Sequence, residues 1–310
     1  SVICVQNPCN LRSKNMKSYL DPLVVAKIST MSLKAKYVVE GFISGLHASK
    51  FKGHSLEFAQ HREYSFGDEL KHLDWKVFGK SDRFFVKQYE EETNLKAYIL
   101  LDASGSMGYK SDGISKLEYG SYIAAALSYL MIKQGDAVGL AVYDTEIKKN
   151  IPPRARLSHL SIIFDELSKT SAGGETDISK ILYDFSKKLK KRTLIILISD
   201  LFDEQEKLIR AVKNYRFAKN EIIVFHIMDR IEENLDIDGN VFFKCMETDS
   251  FLITEPGIIK KEYQKIISEF IDKYKSEFRR ADIDYAYFNT SSSLDLSLTN
   301  YLSKREKLQT

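Results

Sequence analysis

Cysteine is scarce in this chain. Cys4, Cys9 and Cys245 are all it has, too few and too scattered for a disulfide framework, which points to a reducing compartment. Cys4 and Cys9 bracket a short polar segment and read as part of a disordered tail rather than a metal clip. Long apolar runs are missing too: none approaches the ~18–20 residues a membrane helix needs, and no signal-peptide pattern is found. A cytoplasmic location is the expectation. Nor does charge of one sign dominate. With 46 Lys and Arg against 43 Asp and Glu, the net charge is +3, too mild for the concentrated basic face that nucleic acid requires. No Gly-x-x-x-x-Gly-Lys-Ser/Thr run occurs, which argues against nucleotide hydrolysis by this chain itself.

What is present is ordinary globular material. Hydrophobic residues make up 44% and charged ones 29% of 310 residues, enough to bury a sizeable core. Residues 1–17 are polar and unpatterned and read as a disordered tail. Residues 18–94 form an N-terminal accessory segment. Within it, Asp21-Pro22 caps a helix running through Met31, a second periodic stretch covers Leu33–Phe42, and Arg83–Tyr89 reads as a strand. From Leu95 strands and helices alternate, the pattern of an α/β domain with a mostly parallel sheet over residues 95–305. Strands are expected at Leu95–Leu101, Val138–Tyr143, Ile147–Ile151 (stopped by Pro152-Pro153), Thr193–Ser199, Glu221–Ile227 and Tyr285–Asn289. Helices are expected at Lys116–Lys133, Ser158–Lys169, from an Asp177 cap to Lys190, Asp203–Phe217, Ile258–Arg280 and Leu294–Lys304. Val241–Met246 and Phe251–Thr254 read as a hairpin that joins residues 18–94 in a smaller β-containing lobe.

The most informative run is Leu100-Leu101-Asp102-Ala103-Ser104-Gly105-Ser106-Met107. At the end of an apolar strand it sets one carboxylate and two hydroxyls at alternate positions. Gly105 is expected to turn the backbone sharply enough for the three oxygens to converge. Oxygen ligands of low total charge suit a hard divalent ion, Mg2+ first and Mn2+ or Ca2+ otherwise. Gly173-Gly174-Glu175-Thr176 and Ser199-Asp200 belong with this run, because loops at the carboxyl ends of parallel strands share one edge of the sheet. The plainer alternative is that Asp102 and the serines only cap the next helix. That leaves Thr176 and Asp200 without a role.

These segments resemble the von Willebrand factor A fold and its metal-ion-dependent adhesion site, over Leu95–Ile227 and more loosely beyond. The family's Asp-x-Ser-x-Ser motif falls on Asp102, Ser104 and Ser106, its second-loop threonine on Thr176, and its third-loop aspartate on Asp200. Many members follow that aspartate with glycine; here Leu201 stands there and weakens the third loop. The resemblance implies that the serines and threonine ligate the metal, with one or both aspartates acting directly or through water. It also implies an open position that a Glu or Asp of a partner protein completes at ~2.0–2.1 Å.

A second resemblance lies upstream. Gly45-Leu46-His47-Ala48-Ser49, Gly53-His54-Ser55-Leu56-Glu57-Phe58, Arg62-Glu63-Tyr64-Ser65-Phe66-Gly67-Asp68, His72-Leu73-Asp74-Trp75-Lys76 and Lys87-Gln88-Tyr89-Glu90-Glu91-Glu92 resemble the signature of a bacterial family, domain of unknown function 58. Gly79-Lys80 departs from the Ala-Arg common there. The resemblance spans residues 20–305 and implies work beside a MoxR-type AAA+ ATPase in assembly or maturation of other proteins. His47, His54, His61 and His72 crowd this segment, but their spacing fits no zinc pattern; Arg62, Asp68, Asp74, Lys76 and Arg83 read as an ion-pair network supporting Trp75 or, alternatively, as a partner-binding face. The expectation is a non-catalytic, Mg2+-dependent interaction module without nucleic-acid partners. One rival is a Mg2+-dependent phosphatase of the haloacid-dehalogenase type, with Asp200 and Asp203 as its acidic pair. It wants a second aspartate two residues after the nucleophile, where Ser104 stands. The other rival is a scaffold whose metal serves folding alone, and Met107 discriminates: exposed it favours recognition, buried a packed core.

Overall fold

A computed structural model describes residues 30, 31, 35, 38, 39, 61–63 and 85–87, and from 96 to 301 all except 112, 189–192, 219, 238, 240, 245, 247–250, 295, 296, 299 and 300. In chain order, β1 (His61–Glu63) and β2 (Phe85–Lys87) precede β3 (Lys96–Asp102), which leads through a 3-10 turn (Ser106–Gly108) into α1 (Lys116–Lys133). Next come β4 (Ala137–Tyr143), β5 (Ile147–Arg154), α2 (Leu157–Lys169), α3 (Ile178–Lys188), β6 (Thr193–Ser199), α4 (Gln205–Phe217), β7 (Glu221–Met228) and the short α5 (Arg230–Asn234). A hairpin of β8 (Val241–Lys244) and β9 (Phe251–Thr254), the long α6 (Pro256–Arg280) and β10 (Asp284–Asn289) follow.

Six strands form one sheet in the order β10-β7-β6-β3-β4-β5, parallel except for the β4–β5 pair. This is the α/β, mostly parallel architecture flanked by helices that the alternating pattern predicts. The four central strands β3, β4, β6 and β7 are largely apolar and buried because helices cover both faces, whereas the edge strand β5 is mostly exposed. On β3, Ile99 and Leu101 point to one face and join a core with Ile123, Leu127 and Ile163 of α1 and α2. Tyr98 and Leu100 point to the other, with Ile181, Leu208 and Tyr274 of α3, α4 and α6; the period-two geometry of a strand divides them. From β3 the chain adds β4 and β5 on one side, then crosses back to add β6 on the other. The strand order therefore reverses between β3 and β6, and in such sheets the crevice at the strands' carboxyl ends is where ligands bind.

Several boundaries differ from expectation. β5 runs on to Arg154 through Pro152-Pro153: it is an edge strand, where a missing N–H leaves no ladder bond unmade. α5 was not foreseen; five residues show no helical periodicity. β8 and β9 pair with each other, and Val241 and Phe243 pack against Leu235 and against Ile259 and Tyr263 of α6. β1 and β2 likewise pair with each other. Ala35, Val38 and Val39 are helical and buried in the core with α1 and α2. The tail 1–17, most of the expected helices before residue 42, and most of the upstream signature, including Trp75, Asp68, Asp74 and the clustered histidines except the β1 backbone at His61, lie outside the described residues.

Candidate metal centre

Three loops meet at the carboxyl edge of β3 and β6. The first two are tied by backbone: Gly105 N–H donates to Gly174 O (2.8 Å) and Gly173 N–H to Ala103 O (2.9 Å). The first and third are tied by side chains, Ser199 Oγ–H donating to Asp102 Oδ2 at 2.7 Å. Asp102, Ser104, Ser106 and Asp200 are fully buried. Ser104 N–H donates to Asp102 Oδ1 at 2.9 Å, and the Ser104 and Ser106 hydroxyls share one hydrogen bond of 3.1 Å. Thr176 Oγ1 is buried with no hydrogen-bond partner among the described residues. Met107, at the rim, is fully buried.

The glycine and the leucine of these loops behave differently from expectation. Gly105 has φ −56° and ψ −39°, a conformation open to any residue. What requires glycine is space: a Cβ would lie 2.6 Å from the Met246 carbonyl oxygen and 3.2 Å from that of Gly174. Leu201 has φ +56°, the left-handed region that favours glycine. Its side chain is fully buried in the core with α3 and α4, its N–H donates to Ser199 Oγ (2.9 Å), and its carbonyl accepts from the Tyr274 hydroxyl (3.1 Å). Packing and two hydrogen bonds hold a backbone conformation that strains a leucine.

The helix-capping alternative finds another residue in that role. Ser115 caps α1 through a capping box with Glu118, and no side chain caps the 3-10 turn. α3 is capped by Asp177, which accepts from Lys180 N–H at 2.9 Å, and by Asp203, which accepts from Ile178 N–H at 3.0 Å. Asp203 thus serves a helix end.

Lys116 is the residue that sequence reasoning missed. It is the first residue of α1, fully buried, with Nζ 2.7 Å from Asp200 Oδ2 and 2.7 Å from Glu232 Oε1. Burial works against its ammonium, but Asp200 and Glu232 outweigh it and hold the group above the usual lysine range. Glu232 is pushed up to about 7 by burial, which Lys116 only partly offsets. Asp102 is pushed up to about 7 by burial and by the charge of Asp200, against the hydrogen bonds from Ser199 and Ser104. Burial drives His226 down to about 3, so it stays neutral and supplies no positive charge. A signal for Lys116 existed: a lysine at the first helical position opposes the positive end of the helix dipole and needs a carboxylate to hold it there.

These residues fit a hard divalent cation. Among the described residues Thr176 Oγ1 is an orphaned buried oxygen; Asp102 is buried beside Ser104 and Ser199, while Asp200 and Glu232 share the Lys116 ammonium. Carboxylates and hydroxyls are the donor type such ions take. Among the described residues there is no group of three His, Cys, Asp or Glu that could hold a metal; the hydroxyls make up the set.

The fold and this edge define an α/β domain with a candidate oxygen-lined cation centre at its switch point. Residues 60–270 match the family model described as "Protein of unknown function DUF58", and the chain belongs to that family. Uncharacterized proteins of Mycobacterium tuberculosis and Mycobacterium bovis are each 22% identical over 233 residues, covering 74% of this chain and 72% of theirs. Among solved structures, the conserved hypothetical protein BatB from Bacteroides thetaiotaomicron is 16% identical, covers 69% of this chain and 99% of that one, and has a TM-score of 0.42. The SpRpn10 VWA domain is 15% identical over 68% of this chain and 95% of that one, with a TM-score of 0.35. Likenesses this distant transfer no role. Among the described residues, no helix is long and apolar enough to cross a membrane.

Proposed function

We propose that this protein is a non-catalytic, Mg2+-dependent protein-interaction module. Ser104, Ser106 and Thr176 would ligate the ion (Mg2+, or Mn2+ or Ca2+ in its place), with Asp102 beside it and Asp200 acting on it through water; the bound ion would offer a position to an acidic side chain of a partner. The observation that carries this reading is Thr176, whose buried hydroxyl has no partner among the described residues and sits on a loop bonded to the Asp102 loop. By family resemblance the partner is a MoxR-type AAA+ ATPase or its client, in the cytoplasm; sparse cysteine use agrees with that setting. Two observations weigh against phosphatase chemistry: Ser104 stands where a general acid belongs, and Asp203 caps α3.

The buried Met107 favours a second reading, in which the metal serves folding alone. One experiment separates the two: capture of the neighbouring ATPase, with and without EDTA, by the wild type and Asp102→Ala, alongside thermal unfolding of each. The interaction reading expects capture to be lost on chelation and in the variant while the fold persists. Capture indifferent to both removes the metal from the mechanism. Unfolding on chelation supports the scaffold.

A further inference from the structure

The geometry points to Lys116 as a built-in cation that holds Asp200 away from the divalent ion, setting the site's affinity and leaving the bound ion under-neutralised. This rests on the metal reading above. Lys116 Nζ and Asp200 Oδ2 are 2.7 Å apart with both side chains fully buried, the spacing of a charge-assisted hydrogen bond. The other oxygen, Asp200 Oδ1, accepts from Phe202 N–H at 3.3 Å. Both oxygens of this carboxylate are therefore engaged by the protein. Asp102 differs: among the described residues its two oxygens accept from neutral donors, Ser104 N–H and Ser199 Oγ–H.

The ammonium is aimed by a framework of its own. Glu232 holds it from the far side at 2.7 Å, and Glu232 is itself fixed by its second oxygen, Oε2, which accepts from Asp229 N–H at 3.1 Å in the capping box of α5. The ring of Phe202 lies 5.0 Å from Nζ. A buried ion pair adds little net stability over an apolar packing of the same volume, so charge placement is the more telling consequence. With Asp200 already paired, an ion in the centre is offset by Asp102 alone and keeps net positive charge for an incoming carboxylate. Were Lys116 removed, Asp200 would turn to the ion. The ion would bind more tightly and attract an outside carboxylate less.

The test is Mn2+ binding, read by the electron paramagnetic resonance of the free ion, on the wild type and three variants of the full chain with circular dichroism as the check of folding. Lys116→Met alone leaves Glu232 buried and unpaired, so the double variant K116M/E232Q is used. It is expected to bind Mn2+ about tenfold or more tightly than the wild type, the scale of one nearby unit charge at partial burial. A second pair avoids altering the lysine: Asp102→Asn is expected to weaken binding more than about a hundredfold, and Asp200→Asn only several-fold. A folded double variant that binds no more tightly than the wild type overturns the role of Lys116 and leaves the metal reading intact. So does Asp200→Asn as damaging as Asp102→Asn. Binding by the double variant but not the wild type overturns the metal reading for the native chain and upholds Lys116 as the occupant of the cation's place. Binding by neither overturns both.

Discussion

Asp102 and Asp200 stand at the ends of adjacent strands of one sheet, and both are fully buried. They are held in opposite ways. Asp200 has an ammonium at 2.7 Å, whereas Asp102 accepts from neutral groups of Ser199 and Ser104 among the described residues, and burial pushes it up to about 7. Two like groups at equal depth thus differ in what the protein supplies to neutralise them. The unneutralised one sits beside two serines and near a loop whose threonine hydroxyl has no partner among the described residues. Burying a carboxylate without a counter-charge is costly, and the proposed cation would supply the charge that Asp102 lacks.

The contrast is broken most forcefully at the lysine. Lys116→Ala strips the counter-charge from Asp200 and Glu232 together, and about 3–5 kcal/mol of stability should be lost in urea unfolding, the usual effect of leaving buried partners unpaired. A loss below ~1 kcal/mol would mean the triad is wet or rearranges.

The third loop comes next. Leu201→Ala removes a fully buried side chain and should cost about 2–5 kcal/mol. Leu201→Gly removes more atoms, yet it relieves the strain at φ +56°, worth about 1 kcal/mol. Glycine is therefore expected to be no worse than alanine here, the reverse of the order at an ordinary buried position. Thermal unfolding of the pair decides it.

The smallest effect is a slope with pH. Asp102 is raised when folded, so the native protein holds its proton where the unfolded chain has lost it. The stabilisation from that proton is full below about pH 4, the unfolded carboxyl's range, and is lost as pH rises through about 7. Glu232 acts in the same direction. In EDTA, urea stability should fall between about pH 4 and 8; Asp102→Asn should flatten part of that fall, and Mg2+ should restore stability more at pH 8 than at pH 6. A wild type whose stability rises with pH across this window would contradict the assignment.

The sheet was legible because its central strands are long apolar runs, Leu194–Ile198 and Ile222–Ile227, that no helical periodicity explains. The extension of β5 was hidden by Pro152-Pro153, since proline signals a stop until the strand is known to lie at an edge. At the site, spacing singled out Asp102, Ser104 and Ser106, the strand-end argument brought the other two loops to the same edge, and Thr176 and Asp200 came from the family resemblance. What was not legible depends on contacts far apart in the chain. The space against Met246 that requires glycine at 105 and the reach of Lys116 to Asp200 and Glu232 join segments that no local pattern connects. Leu201 lies between: the departure from glycine was visible, but the packing that holds it in a glycine-like conformation was not.

The central claim is that one hard ion sits among the Asp102, Ser104, Ser106 and Thr176 oxygens. Crystals grown in Mn2+ test it most directly, through the anomalous scattering of the metal. The account predicts a single peak bonded to the Ser104, Ser106 and Thr176 hydroxyls, with Asp102 ionised beside it and Asp200 still on Lys116. A map with no peak there, and with Thr176 turned to a protein partner instead, would contradict it.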